Sequence, residues 1–85
     1  MSIHWMRDVL INGEKKKLNI QLGYRHIGDR SYAQVVGETE IWFDSPSRDR
    51  NDIMPIGLEI LKHKLANCKI QYLDGRLYDW NEYQL

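Results

Sequence analysis

The dipeptide Asn12-Gly13 constrains this chain more than any other feature, because both residues readily take the positive φ angles that a two-residue type I′ hairpin turn demands. It separates two strand-like arms, "HWMRDVLI" over 4–11 and "KKLNIQLGY" over 16–24. In the second arm Leu18, Ile20 and Leu22 alternate with Asn19 and Gln21, which gives a strand one apolar and one polar face. A chain that opens with such a hairpin must find something to cover the apolar face.

The cover is expected from "NDIMPIGLEILKHKLAN" over 51–67. Ile53, Ile56 and Ile60 share one helical row with Lys64, and Met54, Leu58, Leu61 and Leu65 share the next. Asp52 is the expected N-cap, with Pro55 inside the first turn, Lys62, His63 and Lys64 at the negative pole of the helix dipole, and Asn67 as the stop. Before the helix, a turn near Gly28-Asp29 leads into "SYAQVVGETEIWF", read as one long strand with a bulge at Gly37. After it, "CKIQYLDGRLYDW" reads as a second hairpin turning at Asp74-Gly75.

These elements predict the order βββαββ: an α+β, two-layer fold with one helix packed on a mainly antiparallel five-stranded sheet. Eighty-five residues allow a single domain over 1–85, since a chain this short buries only about 60–65% of its unfolded surface. The lone Cys68 fits a reducing, cytoplasmic setting, and the first ten residues do not resemble a signal peptide. No apolar run is long enough to span a membrane, so no membrane association is expected.

Twelve Lys plus Arg balance twelve Asp plus Glu. A chain with no net charge lacks the long-range pull toward nucleic acid, so nucleic-acid binding is not expected: the lysines of "EKKK" over 14–17, beside a turn, read as a solvated tip, although Tyr24, Arg25 and His26 would extend such a surface. Zero net charge also removes the repulsion that keeps copies apart, so a homodimer is expected at least as readily as a monomer. His4, His26, His63 and Cys68 match no metal-ligand spacing, so no metal or other cofactor is expected. Ser45 and Ser47 lack a nucleophile motif, which leaves no catalytic residue to name.

A binding role is therefore the expected one, acting on another protein without catalysis, in the manner of an inhibitor, an immunity protein or an accessory factor. The nine aromatics, three Trp, five Tyr and one Phe, are too many for one helix to cover. Trp42 together with Tyr72, Tyr78, Trp80 and Tyr83 form the candidate contact set. The competing reading gives them to the core, with the C-terminal segment as a terminal edge strand closed by Trp80. A second candidate is the loop "SPSRDR", where Arg48 and Arg50 flank Asp49 just ahead of the helix and offer bidentate bonds to an anion or a nucleotide phosphate. Against it, Asp44, Asp49 and Asp52 are close enough in sequence to neutralise both arginines.

Overall fold

The computed structural model describes residues 2–83, with Tyr83 described in its backbone alone. Strands β1 (Ser2–Ile11) and β2 (Glu14–Arg25) form the expected hairpin, in register from Ile11↔Glu14 to Ser2↔Gly23. Asn12 and Gly13 have φ of 52° and 85°, the pair of positive angles the turn requires. Asn12 also ties the hairpin tip to the far end of the chain: its N–H donates to the Lys69 carbonyl at 2.8 Å, and its side-chain oxygen accepts from the Lys69 N–H at 2.9 Å.

The segment expected to be one long third strand is instead two. β3 (Arg30–Val35) runs antiparallel to β2, and β4 (Ile41–Phe43) folds back antiparallel on β3, pairing Ala33 with Ile41 and Ser31 with Phe43. Gly37 is the reason. At φ 96° it reverses the chain rather than bulging a continuous strand, and the Glu38 N–H closes the turn on the Val35 carbonyl at 2.9 Å.

The expected second hairpin is also cut short. β5 (Ile70–Gln71) pairs with β1 only at Leu10 and Ile11, and beyond the Asp74-Gly75 turn a single bridge joins Gln71 to Leu77. The chain then leaves the sheet and ends in a 3₁₀ turn, Trp80–Tyr83. The sheet order is β4-β3-β2-β1-β5, antiparallel throughout. The class, the single helix and the five strands are those the sequence predicts; four strands, rather than three, precede the helix.

Helix α1 (Arg50–Lys64) starts three residues earlier than the expected cap allows. Asp49, not Asp52, is the N-cap: it is extended (φ −69°, ψ 138°), its carboxylate accepts from the Asn51 N–H at 2.8 Å, and its carbonyl accepts from Asp52 and Ile53. Pro55 consequently lies past the first turn, where its missing N–H leaves the exposed Asn51 carbonyl to solvent. The helix buries Ile53, Met54, Leu58 and Leu61 against Val9, Leu18, Ile20, Leu22 and Phe43. Each such aliphatic side chain contributes about 1.5–3 kcal/mol relative to exposure. Gly57 sets the spacing between the layers: a Cβ there would fall inside van der Waals contact with Leu22 Cδ2 and reach 3.5 Å from Phe43 Cζ.

The register assigns the two faces of the sheet. Trp5, Ile20 and Val35 lie in one row beneath the helix layer, as do Ile3, Leu22, Ala33 and Ile41. The opposite face carries the polar row His4, Gln21 and Gln34, then Gly23, Tyr32 and Trp42.

Candidate functional site

The segment that leaves the sheet after β5 packs in the helix layer, beside the helix rather than on the open face. Tyr72, Tyr78 and Trp80 are brought together there: the Tyr72 and Tyr78 rings are 5.3 Å apart, and Trp80 meets Tyr78 edge-on at 5.2 Å. Glu82 pins the cluster. Both tyrosine hydroxyls donate to its carboxylate at 2.9 Å, Arg7 lies 3.8 Å from one of its oxygens, and the Asp79 N–H donates to the Tyr72 hydroxyl at 3.2 Å. These bonds hold the chain in the helix layer beyond Leu77, where the second arm of the hairpin stops after its single bridge to Gln71. Burial pushes the Tyr72 phenol above its ordinary range, the Asp79 N–H opposing it and Glu82 adding to it. The guanidiniums of Arg7 and Arg76 lie 4.9 and 5.0 Å from the Tyr72 ring centre.

Between this cluster and the end of the helix lies a groove of about 340 Å³. Its apolar surface comes from Leu65, Cys68, Ile70, Leu77, Tyr78 and Trp80. Its exposed rim carries the ammonium groups of Lys62 and Lys69, with His63 between the helix end and the groove lying 3.3 Å from the Glu59 carboxylate. Tyr78 is buried and forms part of the core, Trp80 is half-buried, and Leu77 is 73% exposed although it sits over an apolar floor. Leu77 and the basic rim were not singled out by sequence; an apolar residue two positions beyond the Asp74-Gly75 turn, facing a helix that ends in Lys-His-Lys, is the signal that was there to read.

Trp42 does not join the other aromatics. It lies on the open face of the sheet in β4, its ring 6.2 Å from that of Tyr32. The side chain of Tyr83 lies outside the described residues.

The loop before the helix is internally bonded. Ser31 Oγ and Ser45 Oγ are 2.6 Å apart, Ser45 donates to the Ser47 carbonyl at 2.6 Å, and Ser47 donates to Asp52 at 2.6 Å. Arg48 lies 5.5 Å from the Tyr24 ring centre and 3.4 Å from His26 Nδ1, beside a polar cleft of about 330 Å³ that also contains Asp29 and Asp44. Arg50 is exposed in the first turn. The two arginines therefore do not converge with open helix amides, since the Asp49 carboxylate already occupies the Asn51 N–H where an outside anion would bind.

Other chemistry-bearing residues are dispersed. Lys15, Lys16 and Lys17 are exposed near the hairpin tip, Lys16 lying 3.6 Å from Glu14, while Arg25 is held by Glu40 at 2.6 Å. Among the described residues no three His, Cys, Asp or Glu side chains are placed to share a metal ion, and no helix is long and apolar enough to cross a membrane. The sequence matches no protein-family model, no curated protein and no solved structure.

Proposed function

We propose that the protein is a small, non-enzymatic interaction module that grips an apolar, acid-flanked segment of another protein in the groove beside the C-terminal aromatic cluster. One observation carries this reading: an apolar groove with Lys62 and Lys69 at its rim, walled by Leu77 and Trp80. Leu77 is an apolar side chain left in water at the mouth of an apolar depression, and covering it recovers burial that folding alone does not supply. Tyr78 in the groove lining is already fixed by its bond to Glu82, so binding loses little side-chain freedom there. Lys62 and Lys69 favour carboxylates on the incoming segment and disfavour a basic one. An inhibitor, an immunity protein or an accessory factor would each act through such a stoichiometric contact, and the unpaired Cys68 in the groove suits a reducing, cytoplasmic setting.

Selection from a displayed random-peptide library is the direct test. Recovered peptides should share an apolar anchor next to Asp or Glu, and should lose binding to a folded Leu77→Asp variant and to a Lys62→Glu/Lys69→Glu variant. Peptides that bind all three proteins equally, or that carry basic flanks, would overturn the assignment.

A further inference from the structure

The two edges of the sheet are not equivalent, and among the described residues one of them lacks a partner strand over most of its length. β4, the outer strand on one side, is only three residues long and is followed within three residues by Pro46, two of the devices that blunt a strand edge. On the other side β5 occupies only the Leu10 and Ile11 rungs of β1. Among the described residues, no strand pairs with Ser2 to Val9 on that side.

The groups exposed on this edge follow from the turn. Ile11 and Glu14 flank a two-residue loop and so exchange hydrogen bonds, which directs the odd-numbered residues of β1 toward β2 and the even-numbered ones outward. The Asn12 N–H, of the same parity, confirms it by donating outward to Lys69. Ser2, His4, Met6 and Asp8 therefore present a row of backbone donors and acceptors away from the sheet. No proline or lysine interrupts the stretch. Met6, Arg7 and Asp8 also line an open cleft of about 540 Å³ whose far wall is Tyr72, Leu73 and Arg76, which leaves room beside the edge where β5 turns away. Met6 and Leu73, at its mouth, are 56% and 52% exposed.

We infer that the occupant of this edge is β1 of a second copy, paired antiparallel about a two-fold axis to give one sheet continuous through both copies. The strand is complementary to itself. The register that fills every outward rung while leaving Leu10 to Gln71 sets Ser2 opposite Asp8, Ile3 opposite Arg7 and His4 opposite Met6, with Trp5 against its own copy on the axis. No residue meets a like charge, and the axis carries an aromatic pair. The protein as a whole has no net charge to oppose the approach. The contact is isologous, so it closes as a dimer and does not propagate. It uses a different surface from the groove, and either assignment can fail without the other.

Sedimentation or light scattering over a dilution series tests the stoichiometry, and amide exchange tests the surface. The full chain should dimerise, with the His4, Met6 and Asp8 amides exchanging more slowly in the dimer than after dilution. Met6→Pro removes an outward N–H without touching the β2 ladder, and should yield a folded monomer. Should that variant fail to fold, His4→Lys/Met6→Lys places like charges opposite each other at both symmetric contacts and should weaken the dimer about tenfold or more. Mixing it with His4→Glu/Met6→Glu should restore a heterodimer. A wild-type chain that stays monomeric at millimolar concentration overturns the inference, as does a dimer indifferent to the lysine pair. So does an edge that takes up extended peptides of other sequence but not its own copy.

Discussion

The two faces of the sheet bury aromatic residues by different means. On the covered face Tyr78 is 8% exposed because the helix layer and the C-terminal segment close around it. On the open face Tyr32 is 1% exposed with no layer above it. Its ring lies in the row opposite Gly23, which has no side chain to displace it, with the Arg25 guanidinium 4.4 Å from the ring centre and Trp42 beside it. Arg25 is itself fixed by the 2.6 Å bond to Glu40. Burial between layers is shared among many residues and is lost cooperatively. Burial under a lid depends on two or three side chains and can be removed one piece at a time.

The largest expected effect lies on the covered face. Leu61 is fully buried where the helix meets the sheet, and Leu61→Ala should lower stability by about 2–5 kcal/mol in a urea titration, unfolding both faces in one transition. A separate, earlier transition of the open face would break the contrast from that side. The lid should cost less to remove. Trp42 is 41% exposed and covers Tyr32 from one flank only, so Trp42→Ala should lose about 0.5–1.5 kcal/mol and leave the covered face folded. A loss as large as that of Leu61→Ala would mean that the open face is covered by more than its own residues.

Much of this contrast is legible in the sequence, and the reasons for the rest are local. The alternation of Leu18, Ile20 and Leu22 with polar residues fixes which face of β2 goes inward, and Asn12-Gly13 fixes the register, because both signals act over a few residues. Gly37 was ambiguous, since a glycine between strand-forming residues serves a bulge or a reversal equally well, and only the pairing of Ile41 with Ala33 decides between them. The helix start moved from Asp52 to Asp49 because two acids three residues apart both suit an N-cap, and Ser47 settled the matter by donating to Asp52. The aromatics were least legible. Tyr72, Tyr78 and Trp80 alternate as a strand would, yet Glu82 draws both tyrosine hydroxyls to itself, a contact that periodicity does not encode. Nothing in the residues around Tyr32 marked it for burial; that follows from Gly23 standing opposite, which needs the register first.

The smallest effect compares the two kinds of burial through protons. The Tyr32 phenol is raised above its ordinary value of 10.0 by burial first, with Glu40 adding to the shift and Arg25 opposing it; the Tyr72 phenol is raised by burial first as well. A phenol whose value is raised in the folded state keeps its proton longer there than in the unfolded chain. Its contribution to stability is therefore complete below pH 10 and is lost as the pH rises through the folded value. Thermal melts from about pH 9 to about pH 11 should show wild-type stability falling, and Tyr32→Phe should fall less steeply because one of the raised phenols is gone. Adding Arg25→Met to the wild type keeps a long side chain over the Tyr32 ring but removes the cation that opposes the shift, and should steepen the fall, whereas the same change in the Tyr32→Phe background should not. Equal slopes in all four proteins would show that Tyr32 titrates as an exposed phenol, and that its lid keeps out less water than its burial implies.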